Sequence, residues 1–355
     1  MKILFLTGRE TSYPRNALML KILRTIGNVE VISETNHKEN ILLRSVKIIV
    51  NLLMHHKIRS YDLIYIGFYG NLLLLFLPKK NIPPLLFDAF VSTYDTIIED
   101  RKLLPESSPL AGLAHWVDRI VLRYAKIILV DTYENKKFYI QNNSGFPARI
   151  NRIFATCDPE IFFPRPEIST LNNLVLFYGT FLPLHGVEVI IEAARLLQTK
   201  NDIRFKLIGE GKKLNGFKKL VIEKKIINVE FHPFVPINYL PGEIAKATIC
   251  LCGPFGKSKK ASRVITGKTF QCLAMAKPII VGDTNANREL LRPNHDAIFC
   301  KLNSPEDLAK AIELLIGDSN LRQRISMNGF STFNNKANIA TIQKQMITII
   351  NSINT

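Results

Sequence analysis

Acidic side chains are in short supply in this sequence. Thirty Asp and Glu stand against 47 Lys and Arg, a formal net charge of +17 over 355 residues. An excess of that size suits a polyanionic partner such as nucleic acid, anionic lipid or a phosphorylated ligand. A Lys-rich genome would produce the same number with no partner at all. Aromatic residues are not interleaved with the basic runs, so no nucleic-acid partner is expected. Cysteine is also scarce. Cys157, Cys250, Cys252, Cys272 and Cys300 are scattered and odd in number, which excludes a disulfide framework. Cys250 and Cys252 are too close for a C-x-x-C pair and have no His cluster beside them, so no metal site is expected there. Reduced cysteines point to a cytoplasmic protein.

Long apolar runs are missing too. The longest uncharged stretch, LIYIGFYGNLLLLFLP (63–78), contains two glycines, an asparagine and a proline. It falls short of the ~20 residues that span a bilayer. It divides better into a buried strand, a turn and a short helix, so no transmembrane segment is expected. MKILFLTGRE, at the start, is too short in its apolar part for a signal peptide and reads as a first buried strand.

What is present is alternation. KILFLT, VEVIS, LIYIG, PLLFDAF, KIILVDT and INRIFA fill the first 155 residues, with helical spacing between them, as over Asn16 to Thr25 and Leu110 to Ala125. Short strands apolar on both faces belong to a parallel sheet covered by helices. The Pro-rich stretch 157–173 reads as a linker. After it NLVLFYG, FKLIG, VEFHPF, TICLCG, KPIIVG and AIFCKL repeat the pattern. At roughly 150 residues per domain the length fits two doubly wound α/β domains. Their expected extents are 1–165 and 166–335. Ser304 caps the next helix, with Pro305 at its first position. A last helix, over 336–355, puts Ile339, Ile342, Met346, Ile349, Ile350 and Ile353 on one stripe.

Two stretches carry chemistry. FYGTFLPLHG (177–186) reads as a strand that breaks at Gly179 and meets a helix after Gly186. Such a strand, glycine turn and helix N-terminus can bind an anion through backbone N–H groups. KSKKASRVITGKTFQCLAMAKPIIVGDTNANREL (257–290) gathers Lys257, Lys259, Lys260 and Arg263 on one loop. Thr266 is the expected cap of the helix that follows, with Lys268 and Gln271 on one face. Asn285 or Asn287 is the expected cap of the next, with Glu289 in its first turn.

FYGTFLPLHGVEVIIEAARLL, FKLIGEG and GKTFQCLAMAKPIIVGDTNANRELL, in that order, resemble the nucleotide-sugar half of family 4 (group 1 type) glycosyltransferases. The resemblance spans the whole chain and is specific over 175–315. It implies the GT-B fold: α/β, two facing Rossmann-like doubly wound domains with an interdomain cleft and a C-terminal helix crossing back to the N-terminal domain. It implies retaining transfer from a nucleotide diphosphate sugar, with no cofactor and no catalytic metal. The sequence has no D-x-D pair to hold a divalent ion near a diphosphate. Gly179, Thr180, His185, Gly186, Gly209, Gln271, Glu289 and Leu290 then fall in the donor site.

The chain departs from the family in ways that matter. Two glutamates usually stand eight positions apart in the donor site, where this chain has Arg263 and Gln271. Arg263 can grip a diphosphate, and Gln271 can hydrogen-bond ribose hydroxyls. The Arg and Lys of the family's opening loop are here Thr180 and His185. Arg263 and Lys268 are therefore expected to stabilise the leaving diphosphate, helped by amides after Gly179. The structural alternatives are a loop arginine, a solvent-facing helix lysine and a helix-start histidine.

The N-terminal domain is expected to bind the acceptor, a glycan or polyprenol-linked molecule of cell-surface polysaccharide synthesis. A strand is expected to end at Phe87; many family members carry a histidine after it, and Asp88, in that place here, is a candidate catalytic group. Arg9, Arg15, Ser92, Asp95, Asp100 and Arg101 are candidate acceptor contacts. Helix capping and surface pairing are the alternatives for these residues. Residues 41–59 and NLLLLFLPKK mix apolar and basic residues, as suits either a peripheral position on the inner face of the cell membrane or a core helix with charged flanks. Without the family's glutamates, an inactive partner subunit is the second functional reading. A nucleotide-sugar epimerase would need acid–base carboxylates in the donor site, and none can be placed.

Overall fold

The computed structural model describes residues 1–34, 41–55, 58–78, 80–90, 92–95, 98, 105, 107–141, 149–200 and 202–353. The chain divides into two compact units: Met1–Phe154 with Ile342–Thr355, and Ala155–Thr341.

In the first unit the order is β1 (Lys2–Thr7), α1 (Pro14–Ile26), β2 (Asn28–Ser33), α2 (Ile41–His55), β3 (Leu63–Ile66), α3 (Leu73–Phe76), β4 (Leu85–Asp88), α4 (Pro109–Tyr124), β5 (Ile127–Val130), α5 (Tyr133–Gln141) and β6 (Arg149–Arg152). All strand pairs are parallel, in the order β2-β1-β3-β4-β5-β6. β3, β4 and β5 are buried at every residue, which is why they read as unbroken apolar runs. Leu4, Leu6, Ile64, Ile66, Leu85, Phe87, Ile128 and Val130 share one sheet face. Ile48 and Leu52 of α2, Leu73 and Leu74 of α3, and Val117 and Leu122 of α4 pack on it.

The second unit runs β7 (Leu174–Tyr178), α6 (Val187–Leu197), β8 (Arg204–Ile208), α7 (Leu214–Glu223), β9 (Val229–His232), α8 (Leu240–Lys246), β10 (Ile249–Leu251), α9 (Gly267–Ala274), β11 (Ile279–Gly282), α10 (Asn285–Leu290), β12 (Ile298–Cys300), α11 (Pro305–Gly317) and α12 (Ser319–Lys336). Its parallel sheet is ordered β12-β11-β10-β7-β8-β9. Strand order reverses between β7 and β10, and in sheets of this kind ligands sit beyond the strand ends at that reversal.

The last helix, α13 (Ile339–Asn351), buries Ile342, Met346, Ile349 and Ile350. Just beyond it, Arg149 donates to the carbonyl of Ser352 at 2.5 Å and Lys126 donates to that of Ile353, so this segment is tied to the first unit. No helix among the described residues is long and apolar enough to cross a membrane.

Caps follow the sequence in one case and depart from it in two. Ser304 accepts from the Asp307 amide at 3.2 Å, as expected. The cap of α10 is Thr284, which accepts from the Asn287 amide at 3.0 Å, and not Asn285 or Asn287. Asn287 lies inside α10 and is fully buried; its side chain donates to the carbonyls of Gly282 (2.8 Å) and Gly253 (3.3 Å). Glu289 accordingly falls one residue from the helix end rather than in the first turn. Thr266 stands at the N-cap of α9 but makes no capping bond. Its hydroxyl donates instead to the carbonyl of Cys252, at 2.7 Å.

Candidate functional site

The end of β7 is where the chemistry gathers. Gly179 has φ +135°, a conformation that L side chains rarely adopt. A Cβ placed there would lie 3.4 Å from Lys268 Nζ and 3.7 Å from His185 Cε1. The glycine therefore leaves open the space in front of these two side chains. The chain then makes one turn of 3-10 helix at Pro183–His185 and reaches Gly186 at φ +63°, from which α6 starts. A Cβ on Gly186 would lie 2.5 Å from the Gly256 amide nitrogen, so the loop seats against the segment after β10. Gly209, at the end of β8, passes so close that its Cβ would meet the Gly179 carbonyl.

Lys268 sits in the first turn of α9 and is only 6% exposed. The Thr266–Cys252 bond anchors this helix start to the end of β10 and so aims Lys268 back across the strand ends. Its Nζ donates to His185 Nε2 at 3.1 Å and lies 5.0 Å from the centre of the Phe177 ring. His185 Nδ1 contacts the Thr180 carbonyl, which can only accept. His185 is therefore the Nδ1–H tautomer, with Nε2 as the acceptor that Lys268 requires. Burial, then the neighbouring Lys268, pushes the His185 pKa well below its usual value, so the ring stays neutral. Burial brings Lys268 down from 10.5 to about 8. The pair thus carries one positive charge, held in place and poorly solvated. An anion entering beside Gly179 would meet it at close range.

Gln271, one turn along α9, accepts at Oε1 from the Tyr178 hydroxyl at 2.8 Å, which leaves its NH2 as the donor end. Burial keeps Tyr178 protonated and so able to donate. Arg263 ends the 3-10 turn Lys259–Ser262 and is half-buried. Thr180 is exposed and Glu289 half-buried. Leu290 has no exposed surface.

Most of the loop's amides are already bonded. The amides of Gly179, Phe181, Leu182, His185 and Gly186 donate to the carbonyls of Ile208, Glu210, Thr180, Leu182 and Pro183. These five are spent within the fold; the amide of Thr180, directly after Gly179, is not among them. The loop contributes space and the histidine, and Lys268 brings the positive charge.

In the first unit several candidate residues are held by intramolecular partners. Asp88, 2% exposed, accepts from Arg15 Nε and Nη2 at 2.9 and 3.1 Å and from the Tyr65 hydroxyl at 2.9 Å. Arg15 is 5% exposed, and the two form a buried fork between α1 and β4. Ser92 donates to Asp118 at 2.6 Å and accepts from the Asp95 amide at 3.0 Å, a local turn bond. Asp118, not singled out in the sequence, gathers this loop, accepting also from the Thr93 and Tyr94 amides. Asp95 is buried. Arg9 keeps some exposure, held by Glu10 at 3.1 Å and stacked over Tyr13. Asp100 and Arg101 lie outside the described residues. Among the described residues no group of His, Cys, Asp or Glu could hold a metal ion.

Residues 159–332 match the family model described as Glycosyl transferases group 1. An α-D-kanosaminyltransferase of Streptomyces kanamyceticus is 25% identical over 259 residues, 67% of this chain and 62% of that protein. An uncharacterized glycosyltransferase of Methanocaldococcus jannaschii is 26% identical over 204 residues, 58% of this chain and 53% of its own. The matches thus span between half and two thirds of these relatives. Among solved structures, HepE of Anabaena, in complex with UDP and glucose, superposes with a TM-score of 0.75 at 18% identity, covering 99% of this chain and 100% of that one. Sucrose-phosphate synthase of Thermosynechococcus elongatus gives 0.77 at 14% identity, covering 99% of both chains. These likenesses show the fold, GT-B with two Rossmann-like units. The family model, over just under half of the chain, and the relatives, at 25–26% identity, are likenesses to glycosyltransferases.

Proposed function

We propose that the chain is a glycosyltransferase that takes a sugar from a nucleotide diphosphate sugar. The observation that carries this is the Lys268–His185 pair facing Gly179 at the strand-order reversal of the second unit. Cleaving the bond between the anomeric carbon and the phosphate oxygen puts negative charge on the leaving diphosphate. A fixed, poorly solvated ammonium there stabilises the transition state more than the ground state. Neutral His185 serves as the acceptor that orients Lys268 without adding a competing charge. Gln271 offers its NH2 to the ribose, and Arg263 is the second cation on the basic loop. We assign transfer as retaining and metal-independent, the leaving phosphate taking the acceptor's proton. The lack of a D-x-D pair fits the metal-independent part, and retention rests on the family resemblance. UDP is the nucleotide to try first, given the UDP complex of HepE. The acceptor is a glycan or polyprenol-linked molecule in cell-surface polysaccharide synthesis.

Thermal unfolding against UDP, GDP, ADP and CMP and their sugars tests the donor. At a hundredfold excess over its dissociation constant a nucleotide adds about 2.7 kcal/mol of stability. A shift with one nucleotide diphosphate is the expected result, and a flat response to every member of the panel counts against the proposal. The alternative, an inactive GT-B-like partner subunit, is favoured by Arg263 and Gln271 standing where the family's glutamates would be. Nucleotide binding without hydrolysis or transfer of the sugar, over a broad acceptor screen, would select it.

A further inference from the structure

A second basic site is built into one edge of the first unit. There β6 pairs with β5, with Arg152 beside Val130, and α5 starts directly after β5. Residues of α5, β6 and α13, all of this unit, line a cavity of about 290 Å³. Its lining holds two cations, Arg152 and Lys136, and no acid. Among the described residues neither cation has an ion-pair partner. The neighbouring acids are engaged elsewhere: Glu134 accepts from Lys137 at 2.7 Å, and Asp131 accepts from Asn135. The sequence of α13, and residues 142–148 before β6, contain no acid.

Arg152 is the unusual member. Its Nε and Nη1 are shut off from solvent and have no hydrogen-bond partner. The guanidinium lies 3.7 Å from the centre of the Phe154 ring and 5.0 Å from that of Tyr133. Ring faces attract a cation but do not replace an oxygen acceptor, so these N–H groups carry an unrecovered desolvation cost. On α13, Gln345 Oε1 is the converse, a buried acceptor with no donor. Stacking alone would explain the rings. It leaves Lys136 and the two orphaned groups, a donor and an acceptor at one cavity, without a purpose.

The lining indicates what would satisfy them. Two cations suit a dianion, and a phosphate monoester carries about −1.5 to −2 charge at neutral pH where a carboxylate carries one. The planar fork of Arg152 can give phosphate two parallel bonds, and Lys136 a third. The volume is close to the lower bound of small-molecule pockets, about 300 Å³. Asn151 and Thr348 each donate to a backbone carbonyl, at 3.2 and 3.1 Å, which leaves an oxygen of each able to accept. With Gln345 Oε1 these make three acceptors, and hydroxyl groups are the donors that match them.

We propose that this cavity binds the phosphate monoester of a small polyol, such as a sugar phosphate, with Arg152 and Lys136 on the phosphate and Gln345 accepting from a hydroxyl. The inference draws on no residue of the donor site and stands whether or not the chain is a transferase.

Titration calorimetry of the full chain, in phosphate-free buffer, tests it. The probes are glucose 1-phosphate, glucose 6-phosphate, glycerol 3-phosphate, inorganic phosphate, glucuronate and glucose. The expected result is binding of at least one phosphate monoester, with inorganic phosphate and glucuronate at least about tenfold weaker and glucose silent. Arg152→Met should weaken that binding by at least about tenfold. Lys136→Gln should weaken it too, and keeps the test open if Arg152→Met does not fold; melting of the ligand-free variants shows which do. Lys268→Met should bind the monoester as the parent does. No binding of any monoester would overturn the proposal. So would equal binding of inorganic phosphate, which would mark an ion site alone. Loss of binding in Lys268→Met, with Lys136→Gln unchanged, would also overturn it by assigning the binding to the donor site.

Discussion

At the scale of residues, the chain invests in one expensive side chain. Burial takes Lys268 from 10.5 to about 8, which corresponds to about 3 kcal/mol of unfavourable charge burial at neutral pH. The sign follows from which state binds more protons. Below the folded value Lys268 is charged in both states and the cost is fully present. Between about 8 and 10.5 the unfolded chain holds the proton more tightly, so this group's penalty is relieved as pH rises. Lys268→Met should therefore leave the ligand-free protein as stable as the parent or more so near pH ~7, the advantage shrinking toward pH ~10. Urea unfolding of both proteins at the two pH values measures it. A group that weakens the empty protein is retained for what it does when the site is filled. Asp88 behaves in the opposite way. Asp88→Asn leaves the buried Arg15 without its carboxylate and should cost about 3–5 kcal/mol in the same assay. Nucleotide affinity should be unchanged, because the pair belongs to the other unit.

Elements explain why some of this was visible in the sequence and some was not. The core strands were legible because parallel strands covered on both faces read as short unbroken apolar runs, and KIILVDT and KPIIVG are of that kind. Gly179 was legible as the break in such a run. The partnership of His185 with Lys268 was not, since 83 residues separate them and only the meeting of the β7 and β10 ends joins them. Nor was it visible which loop amides are already bonded, because an N–H that closes a turn and one that awaits an anion look alike in sequence. Tyr178 carried a usable signal: a hydroxyl at the last position of an otherwise apolar strand is suited to a bond at the strand end. Thr266 was noticed as a cap and serves instead as the tie between α9 and β10. Thr266→Val keeps the shape and removes that bond. It should cost about 1 kcal/mol in stability and loosen Lys268, seen as weaker nucleotide binding at unchanged fold. If nucleotide affinity stayed at the parent value, the tie would have no part in aiming the lysine.

At the scale of the whole molecule, two sheets of the same architecture hold different kinds of group at the ends of their strands. The second unit leaves a cation facing open space beside a glycine. The first closes its corresponding corner with the Arg15–Asp88–Tyr65 fork. Under the proposed function, nucleotide recognition falls to the second unit. The most direct test of the account is the affinity for UDP, by titration calorimetry from pH ~6.5 to ~9.5, of the parent, Lys268→Arg and Lys268→Met. The account predicts that the parent's affinity falls as pH rises beyond the bound-state pKa of Lys268. Lys268→Arg, whose charge does not titrate in this range, should bind with no such fall. Lys268→Met should lose at least about tenfold at pH ~7. Equal affinity of Lys268→Met and the parent across the range would contradict it.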